Sequence, residues 1–457
     1  MNYSNPIFLA AVFICTALAI RGLFKPFLGL LILMTLHFVQ PGELFPSLAP
    51  LRIELVYGVA IFIVLLKNKG SAVFESFKTD PVLRGTLLLL GDVAITIPLA
   101  IWPGGAFAMF VEVAKLVILQ ITMTAFIDSQ ERLKAITWLL VGFMMWFVGS
   151  TFFAFIHGQF YSLGQTYGTI DRAQGINSMA GNPNELAGLL LAFLPFLMTL
   201  LATTKGLFTK VFLFLCGGMT LYVLCLTGAR IVFLGLILIT VFYVFRSKRP
   251  VLNLAVALVL AATLWFSLPK TYQDRFLTVK SYAEGGKLDP SNEYRLQIWD
   301  AGWRMFQDHP VLGVGAGQFS TAFGTKYSGK AHGAWMQPHN LYLQVVCELG
   351  IVGFIIFVYF LGQMWKAIRE VLRTKGMPGL EINYQFASAC ALMFVGNAFI
   401  GLVSHTLYRP YWYMLAGLVV ANRLVTRHVL ATQTPAPVVE QPTRPRLPSR
   451  VQTLRYQ

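Results

Sequence analysis

Four arginines and one histidine stand beside long apolar segments, where a charged side chain is costly. Arg52, Arg172, Arg230 and Arg409 each lie near the end of such a segment, and His339 begins another. Any one arginine there can extend harmlessly to the membrane surface, but guanidinium groups in this position also hold phosphate or pyrophosphate bidentately. The dipole of a helix N-terminus lowers the pKa of a histidine, and the neutral imidazole can act as a general base on a hydroxyl.

The segment 172–195 predicts a second polar site at a helix start. Asn182 is a natural N-cap, Pro183 suits the first helical position, and Glu185 falls where a capping box would place it. One interpretation is simply a well-capped transmembrane helix. The other is that its free N–H groups bind an anion, with Arg172 pointing into the same space.

The segment 291–308 predicts an amphipathic helix, with Ser291 as N-cap and Pro310 just beyond its end. Arg295 and Trp299 are spaced i, i+4 and therefore share a face. A tryptophan-rich helix of this kind is either a lid lying on the bilayer or a surface on which saccharide rings stack. The glycines of 313–317 lack the preceding strand and the following Lys-Ser/Thr of a phosphate loop, which argues against nucleotide binding.

The composition indicates what positions these residues. The chain has 457 residues, 56% hydrophobic and 12% charged, with a mean hydropathy of +0.64. Soluble domains carry about 25% charged residues, so a cytosolic enzyme, a disordered protein and a secreted disulfide scaffold are excluded. Apolar runs occur at 6–20, 22–39, 53–66, 84–101, 107–127, 135–156, 183–203, 210–227, 231–245, 250–268, 339–365, 384–403 and 410–426. They predict an all-α polytopic membrane protein with about 12 helices, or 13 if 6–39 forms two spans.

The distribution of positive charge predicts the orientation. Loops 67–83, 128–134, 203–210, 246–249 and 366–380 contain fourteen Lys and Arg, whereas the alternating loops contain four. The positive-inside rule places the first set in the cytoplasm. The net charge of +16 is therefore mainly a topology signal with a basic tail, and we expect no nucleic-acid partner.

Four regions follow from this reading. Residues 1–268 are predicted to hold transmembrane helices with a short outer loop at 157–182, and 269–338 to form a large outer subdomain that is mostly helical. Residues 339–428 are predicted to hold the C-terminal transmembrane helices, and 429–457 a disordered basic cytoplasmic tail.

Four ionisable residues lie within the spans, namely Asp92, Glu112, Lys115 and Glu348. A proton-coupled transporter would show a chain of such groups. Because these are few and scattered, and Glu112 and Lys115 are three residues apart, structural pairing is the favoured interpretation. No metal-ligand spacing of His, Cys, Asp and Glu is present, so no metal is expected.

Several of these motifs together resemble the O-antigen ligase and polymerase superfamily. They are Arg172-x-x-Gly175, Gly181-Asn182-Pro183-Asn184, Thr227-Gly228-Ala229-Arg230, Arg295 with Trp299, Asp308-His309-Pro310, and Pro338-His339-Asn340. The resemblance covers about residues 165–360, and the Pro-His-Asn segment after a large outer loop is its most specific part.

The resemblance implies a fold and an activity. It implies a GT-C-like glycosyltransferase of the bacterial inner membrane, with its active site on the periplasmic face. Such an enzyme moves a polysaccharide from undecaprenyl pyrophosphate to a sugar hydroxyl of lipid A-core in lipopolysaccharide biosynthesis, with inversion and without metal, ATP or another cofactor. Membrane lipids are its other partners.

The resemblance also implies roles for individual residues. His339 corresponds to the catalytic histidine, and Arg230 and Arg295, with Arg172, are expected to bind the donor pyrophosphate. Trp299, Asn340, Asn182, Arg52 and Arg409 are candidate substrate contacts. Ile231 departs from the small residue that many relatives carry after the arginine.

Three functions remain open on the sequence. The first is the ligase. The second is a polymerase or a protein O-glycosylation ligase, which would use the same lipid-linked donor with another acceptor. The third is a transporter, which would require coupling residues along a path through both faces. The unusual residues here gather on one face, which favours the first two.

Overall fold

The computed structural model describes residues 6–160, 171–246, 249–267, 270, 272–273, 290–328 and 335–433. The regular elements within these ranges are helices. In chain order they are α1 (Pro6–Phe24), α2 (Pro26–Val39), α3 (Pro41–Leu44), α4 (Ile53–Thr79), α5 (Pro81–Thr96), α6 (Pro103–Phe126), α7 (Gln130–Ile156), α8 (Pro183–Thr203), α9 (Leu207–Leu226), α10 (Arg230–Arg246), α11 (Pro250–Ser267), α12 (Pro290–Asp308), α13 (Phe319–Ala322), α14 (Leu341–Leu372), α15 (Glu381–Ile400) and α16 (Pro410–Gln433).

Proline marks the start of many of these helices, including α2, α5, α8 and α16. Its missing N–H is not needed in the first turn, and its fixed φ is already helical. At Pro26 the same chemistry separates α1 from α2, because Lys25 before it is non-helical with φ −120° and ψ 89°. Residues 6–39 therefore form two helices and not one continuous segment.

Eight helices in the described part of the chain are long and apolar enough to cross a membrane, judged by length and composition. Four shorter apolar helices accompany them. The described residues thus agree with the predicted all-helical, polytopic membrane protein. The count of 12 or 13 spans and the GT-C-like fold stay predictions.

Helix α8 is the most enclosed part of the bundle, since almost every side chain from Pro183 to Leu197 is buried. It packs between α7 and α15. Phe193 contacts Phe38 of α2, which in turn stacks on Phe143 of α7, with ring centroids 5.4 and 4.8 Å apart. A helix that is apolar on all sides suits a protein core or a membrane span, and here the neighbouring helices enclose it.

Helix α14 is broken at Gly350, whose φ of 65° and ψ of −162° lie outside the helical region. The break leaves carbonyl groups free, and the segment 310–315 uses them. The N–H of Val314 donates to the Cys347 carbonyl at 2.8 Å, and that of Gly315 to the Glu348 carbonyl at 3.1 Å. The polar segment between α12 and α13 is thereby fixed against the first turns of α14.

Contacts divide the loops between two ends of the bundle. The site end, as we name it, comprises loops 40–52, 97–102, 171–182, 227–229, 309–318, 336–340 and 401–409. These loops touch one another; for example, the Ser178 N–H donates to the Glu43 carboxylate at 2.6 Å, and the Ile101 N–H donates to the Val314 carbonyl at 3.1 Å. At the opposite end Lys69 pairs with Asp128 at 3.1 Å.

The four regions predicted from the sequence can be compared with the structure only in part. Within 269–338 the described residues form α12, α13 and a π-helical turn, Phe323–Tyr327, while 274–289 and 329–334 lie outside the described residues. So do residues 161–170 of the predicted loop 157–182. Helix α16 continues to Gln433, and the rest of the predicted tail, 434–457, also lies outside.

Candidate functional site

The segment before α14 presents His339 in an unusual backbone conformation. His339 has a φ of 48°, in the left-handed region that histidine and asparagine tolerate better than most residues. Asn340 follows as N-cap, its side-chain oxygen accepting from the Leu343 N–H at 3.0 Å. His339 therefore precedes the helix by two residues. Its imidazole is set by this turn and not by the helix itself.

The environment of His339 keeps its imidazole neutral. Burial lowers the pKa of His339 to about 4, and the positive charge of Arg295 on α12 adds to the effect. The direction matches the expectation from the sequence, but the leading cause is burial and not the helix dipole. Arg295 thus lies close enough to influence His339 electrostatically, so two predicted site residues, 44 positions apart, are brought together.

Trp299 and Asn340 hold this segment in place from two sides. Trp299 donates its indole N–H to the Pro338 carbonyl at 3.0 Å, which ties α12 to the residue before His339. Asn340 donates its side-chain amide to the Leu402 carbonyl at 3.1 Å. Both residues were predicted as substrate contacts, and that role stays a prediction. What the structure describes for each is a bond that positions His339.

A second histidine, His405, was missed by the sequence reading. Its ring lies edge to face with that of His339, with centroids 5.5 Å apart. Burial lowers the pKa of His405 to about 3, with His339 and Arg409 adding to the shift. The signal that could have found it is its place in the short loop 401–409, four residues before Arg409.

Arg172 is buried, with only 5% of its surface exposed. Its Nε donates to the Thr227 carbonyl at 2.7 Å, and its Nη2 donates to the Asn184 side-chain oxygen at 2.9 Å. As the sequence suggested, the side chain points toward the N-terminus of α8. It joins the turn before α10 to the start of α8.

Arg230 is the first residue of α10, directly after the turn that Arg172 holds. Gly228 in this turn has a φ of 57°, which permits the tight reversal between α9 and α10. The Ala229 N–H donates to the Thr227 hydroxyl at 3.3 Å. The side chain of Arg230 lies outside the described part of the structure. Its pyrophosphate-binding role stays a prediction.

The start of α8 is capped as expected in one respect and differs in another. Asn182 accepts from the Asn184 N–H at 2.8 Å, so it is the N-cap. Glu185 does not complete a capping box; it forms an ion pair with Arg409 from the loop before α16. The predicted anion site at this helix start therefore contains a carboxylate with its own counter-ion.

The glycines of 313–317 have a structural explanation. Gly313, Gly315 and Gly317 have φ values of 68°, 104° and 71°. Glu348, buried in α14, accepts from the Gly317 N–H at 3.0 Å and the Phe319 N–H at 3.1 Å. The carboxylate thus anchors this loop, in keeping with a structural role for Glu348.

The other predicted polar residues are spread more widely. Glu112 and Lys115 form an ion pair at 2.6 Å, as their spacing predicted. Asp92 is buried in α5, and neither carboxylate oxygen has a hydrogen-bond partner among the described residues. Arg52 is exposed at the start of α4, at the site end. Its role as a substrate contact stays a prediction.

Within the described residues, no three His, Cys, Asp or Glu side chains are grouped so that they could hold a metal ion. The metal and nucleotide independence implied by the motifs remains a prediction.

These features define a multi-pass helical membrane protein with a polar site at one end of its bundle. Residues 211–358 match a family model described as O-antigen ligase, and this region contains Arg230, Arg295, Trp299 and His339. The match supports an assignment to the O-antigen ligase family, as the motifs predicted.

Two curated relatives carry the name of a polysaccharide ligase. The chain is 27% identical over 203 residues to a protein of Rickettsia conorii named as a candidate polysaccharide ligase, covering 42% of this chain and 46% of the relative. A protein of Rickettsia felis with the same kind of name is 26% identical over 203 residues, with the same coverage. The chain thus spans a little under half the length of the curated relatives it matches.

Proposed function

We propose that this protein is an O-antigen ligase of the bacterial inner membrane. It transfers O-antigen polysaccharide from undecaprenyl pyrophosphate to a sugar hydroxyl of lipid A-core at the periplasmic face. The observation that carries the proposal is the neutral His339 beside Arg295, within the region that matches the O-antigen ligase family. The names of the Rickettsia relatives also favour a polysaccharide ligase.

The proposed reaction is a single displacement at the anomeric carbon. The acceptor hydroxyl oxygen forms the new glycosidic bond as the bond from that carbon to the pyrophosphate oxygen breaks, which inverts the configuration. The hydroxyl proton goes to His339, whose imidazole is neutral before the reaction. The donor bond is already activated, so no nucleotide is required.

Arginines at the site end supply the charge stabilisation in this scheme. The leaving undecaprenyl pyrophosphate gains negative charge, which Arg230 and Arg295 stabilise as preorganised cations. Arg172 was expected to join them, but its guanidinium already donates to Thr227 and Asn184. We therefore propose that Arg172 acts mainly by positioning the turn that carries Arg230.

The test is a reconstitution with purified protein, undecaprenyl-pyrophosphate-linked polysaccharide and lipid A-core, in EDTA and without nucleotide. We expect a ladder of slow-migrating lipopolysaccharide on a gel. Arg230→Ala should reduce the rate by roughly 10²–10³-fold, as expected for a lost charged donor. The matched control is Arg373→Ala, an exposed arginine after α14 at the opposite end, which should leave the ladder unchanged.

Other products would change the assignment. If the lipid-linked chain lengthens and no lipopolysaccharide ladder forms, the protein is a polymerase. If well-folded protein forms neither product, the protein-glycosylation and transporter alternatives replace the ligase.

A further inference from the structure

The loop that carries His405 is bonded to α14 on both sides of this residue. Before His405, the Gly401 carbonyl accepts from the Leu341 N–H at 2.6 Å. After it, the Leu407 N–H donates to the side-chain oxygen of Gln344 at 3.2 Å. Both partners lie in the first turn of α14. The loop therefore holds His405 at a fixed place relative to the start of this helix.

The ring of His405 lies against the ring of His339. Their centroids are 5.5 Å apart and their planes are inclined by 77°. This is one of the two arrangements that aromatic rings prefer. Both residues are partly buried, and His405 Nδ1 is enclosed without a hydrogen-bond partner among the described residues. His405 thus covers one side of the His339 imidazole.

This contact orients the imidazole of His339. A catalytic histidine is usually oriented by a hydrogen bond to its second ring nitrogen. The hydrogen bonds described around His339 belong to its neighbours Pro338 and Asn340, so they fix the backbone and leave the imidazole free to rotate. The ring contact described for the imidazole itself is the one with His405.

The charges around the pair keep a transferred proton on His339. Positive charge comes from Arg295 on α12 and from Arg409, which is itself paired with Glu185 of α8. The pKa is about 4 for His339 and about 3 for His405, mainly because burial disfavours the charged form. His405 is the weaker base, so it does not take over the proton that His339 receives from the acceptor hydroxyl.

We propose that His405 is a positioning residue for the transfer reaction, because its ring orients the imidazole of His339 and keeps water from one side of it. The inference rests on the proposed function, in which His339 accepts the hydroxyl proton. It requires the aromatic ring of His405 and not its nitrogen atoms. His405→Phe keeps a ring and His405→Ala removes it, so the two variants have different expected results.

The first test measures kcat, KM and the pH dependence of kcat/KM in the reconstituted reaction. His405→Ala should lower kcat at neutral pH by about 10-fold or more, with both KM values near those of the wild type, because His405 aligns the base and binds no substrate. Its acid limb should move from near pH 4 toward pH 6.5, because water then reaches the imidazole. His405→Phe should keep kcat within about 3-fold of the wild type, with the limb near pH 4, since the ring contact is retained.

The matched control is Leu407→Ala in the same loop. Leu407 is only 1% exposed and packs in the main core of the bundle, so this variant loses buried volume but keeps the ring beside His339. It should lower Tm and leave the acid limb in place. If His405→Ala does not fold, His405→Leu replaces it, because leucine fills the space without an aromatic ring. The same loss of kcat is expected for His405→Leu.

The second test does not require activity. Diethyl pyrocarbonate modifies neutral imidazoles that it can reach, and mass spectrometry of the peptide that contains His339 gives the rate at this residue. We expect this rate to rise several-fold in His405→Ala, because one side of the His339 ring is uncovered. It should stay at the wild-type value in His405→Phe and in Leu407→Ala.

The outcomes separate the two proposals. If the wild-type protein transfers no polysaccharide, the proposed function fails, and the modification rates alone decide whether His405 covers His339. If the wild-type protein is active and His405→Ala keeps either the wild-type kcat or the wild-type acid limb, the positioning role is wrong and the function stands. Equal losses of kcat in folded His405→Phe and His405→Ala would also overturn it, because the nitrogen atoms and not the ring would then be required.

Discussion

The imidazole of His339 lies edge to face against that of His405, with ring centroids 5.5 Å apart. The two residues come from different loops, one before α14 and one between α15 and α16. Burial lowers the pKa of both rings, and each positive charge nearby, including that of Arg295 or Arg409, lowers it further. Two neutral imidazoles therefore face each other at the site end.

This pair should make the protein sensitive to acid. In the unfolded chain both histidines have an ordinary pKa near 6.5, whereas in the folded protein the values are about 4 and about 3. Between pH 6.5 and 4 the unfolded state thus binds more protons, and the free energy of unfolding falls as the pH falls. We expect His405→Gln to reduce the loss of Tm between pH 7 and pH 4.5. An equal loss of Tm in the variant and the wild type would contradict this explanation.

Replacing His339 should remove activity without unfolding the protein. Asparagine tolerates the left-handed φ of 48° at this position, so His339→Asn keeps the turn, whereas His339→Val should strain it. We expect His339→Asn to lower kcat by about 10²–10⁴-fold, the usual contribution of a general base, with Tm close to that of the wild type. Near wild-type transfer by well-expressed His339→Asn would exclude the base role.

Asn182 and Glu185 show which contacts of a helix start can be predicted from the sequence and which cannot. The N-cap at Asn182 was predictable because its partner, the Asn184 N–H, is two residues away. The partner of Glu185 is Arg409, 224 positions along the chain, and no local pattern points to it. Helix positions and caps follow from neighbouring residues, and the pairing of distant loops follows only from the packing of the helices that carry them.

The contact of His405 with His339 and the helix break at Gly350 were not predicted, for the same reason. His405 contacts His339 because the loop 401–409 packs on the start of α14, where the Leu341 N–H donates to the Gly401 carbonyl at 2.6 Å. The break at Gly350 follows from the loop 310–315 that fits against it. In contrast, the sequence did predict that Arg295 and His339 belong to one site, and Arg295 lies close enough to lower the pKa of His339.

Arg172 should contribute to stability more than its exposed counterpart Arg52. Arg172→Met keeps much of the volume but leaves the Thr227 carbonyl and the Asn184 side chain without their charged donor. We expect a loss of about 1–3 kcal/mol in the free energy of unfolding, the usual cost of unsatisfied buried groups. Arg52→Met, at an exposed position, should change it by less than about 0.5 kcal/mol. Denaturation in detergent measures both, and equal effects would contradict a positioning role for Arg172.

Two glycines of α14 should respond in opposite ways to alanine. At Gly350 the φ of 65° with ψ of −162° is nearly exclusive to glycine, and a Cβ would overlap the Val311 carbonyl. Gly350→Ala should therefore destabilise the protein by about 1–3 kcal/mol or more. At Gly362 a Cβ meets nothing within 4 Å, so Gly362→Ala should stabilise by about 0.5–1 kcal/mol through helix propensity. Thermal unfolding of the two variants tests the break in the helix. An unchanged stability of Gly350→Ala would contradict the strained backbone at Gly350.

The Glu185–Arg409 ion pair should behave as a coupled unit. Its side chains are only 16% and 29% exposed, so the removal of one partner leaves the other charge poorly solvated. We expect Glu185→Gln and Arg409→Met each to lower the free energy of unfolding, and the double variant to lose less than the sum of the two. A coupling energy of about 1–3 kcal/mol is expected for groups in contact. Denaturation of the four proteins closes the double-mutant cycle. Additive effects would mean that the two side chains do not depend on each other.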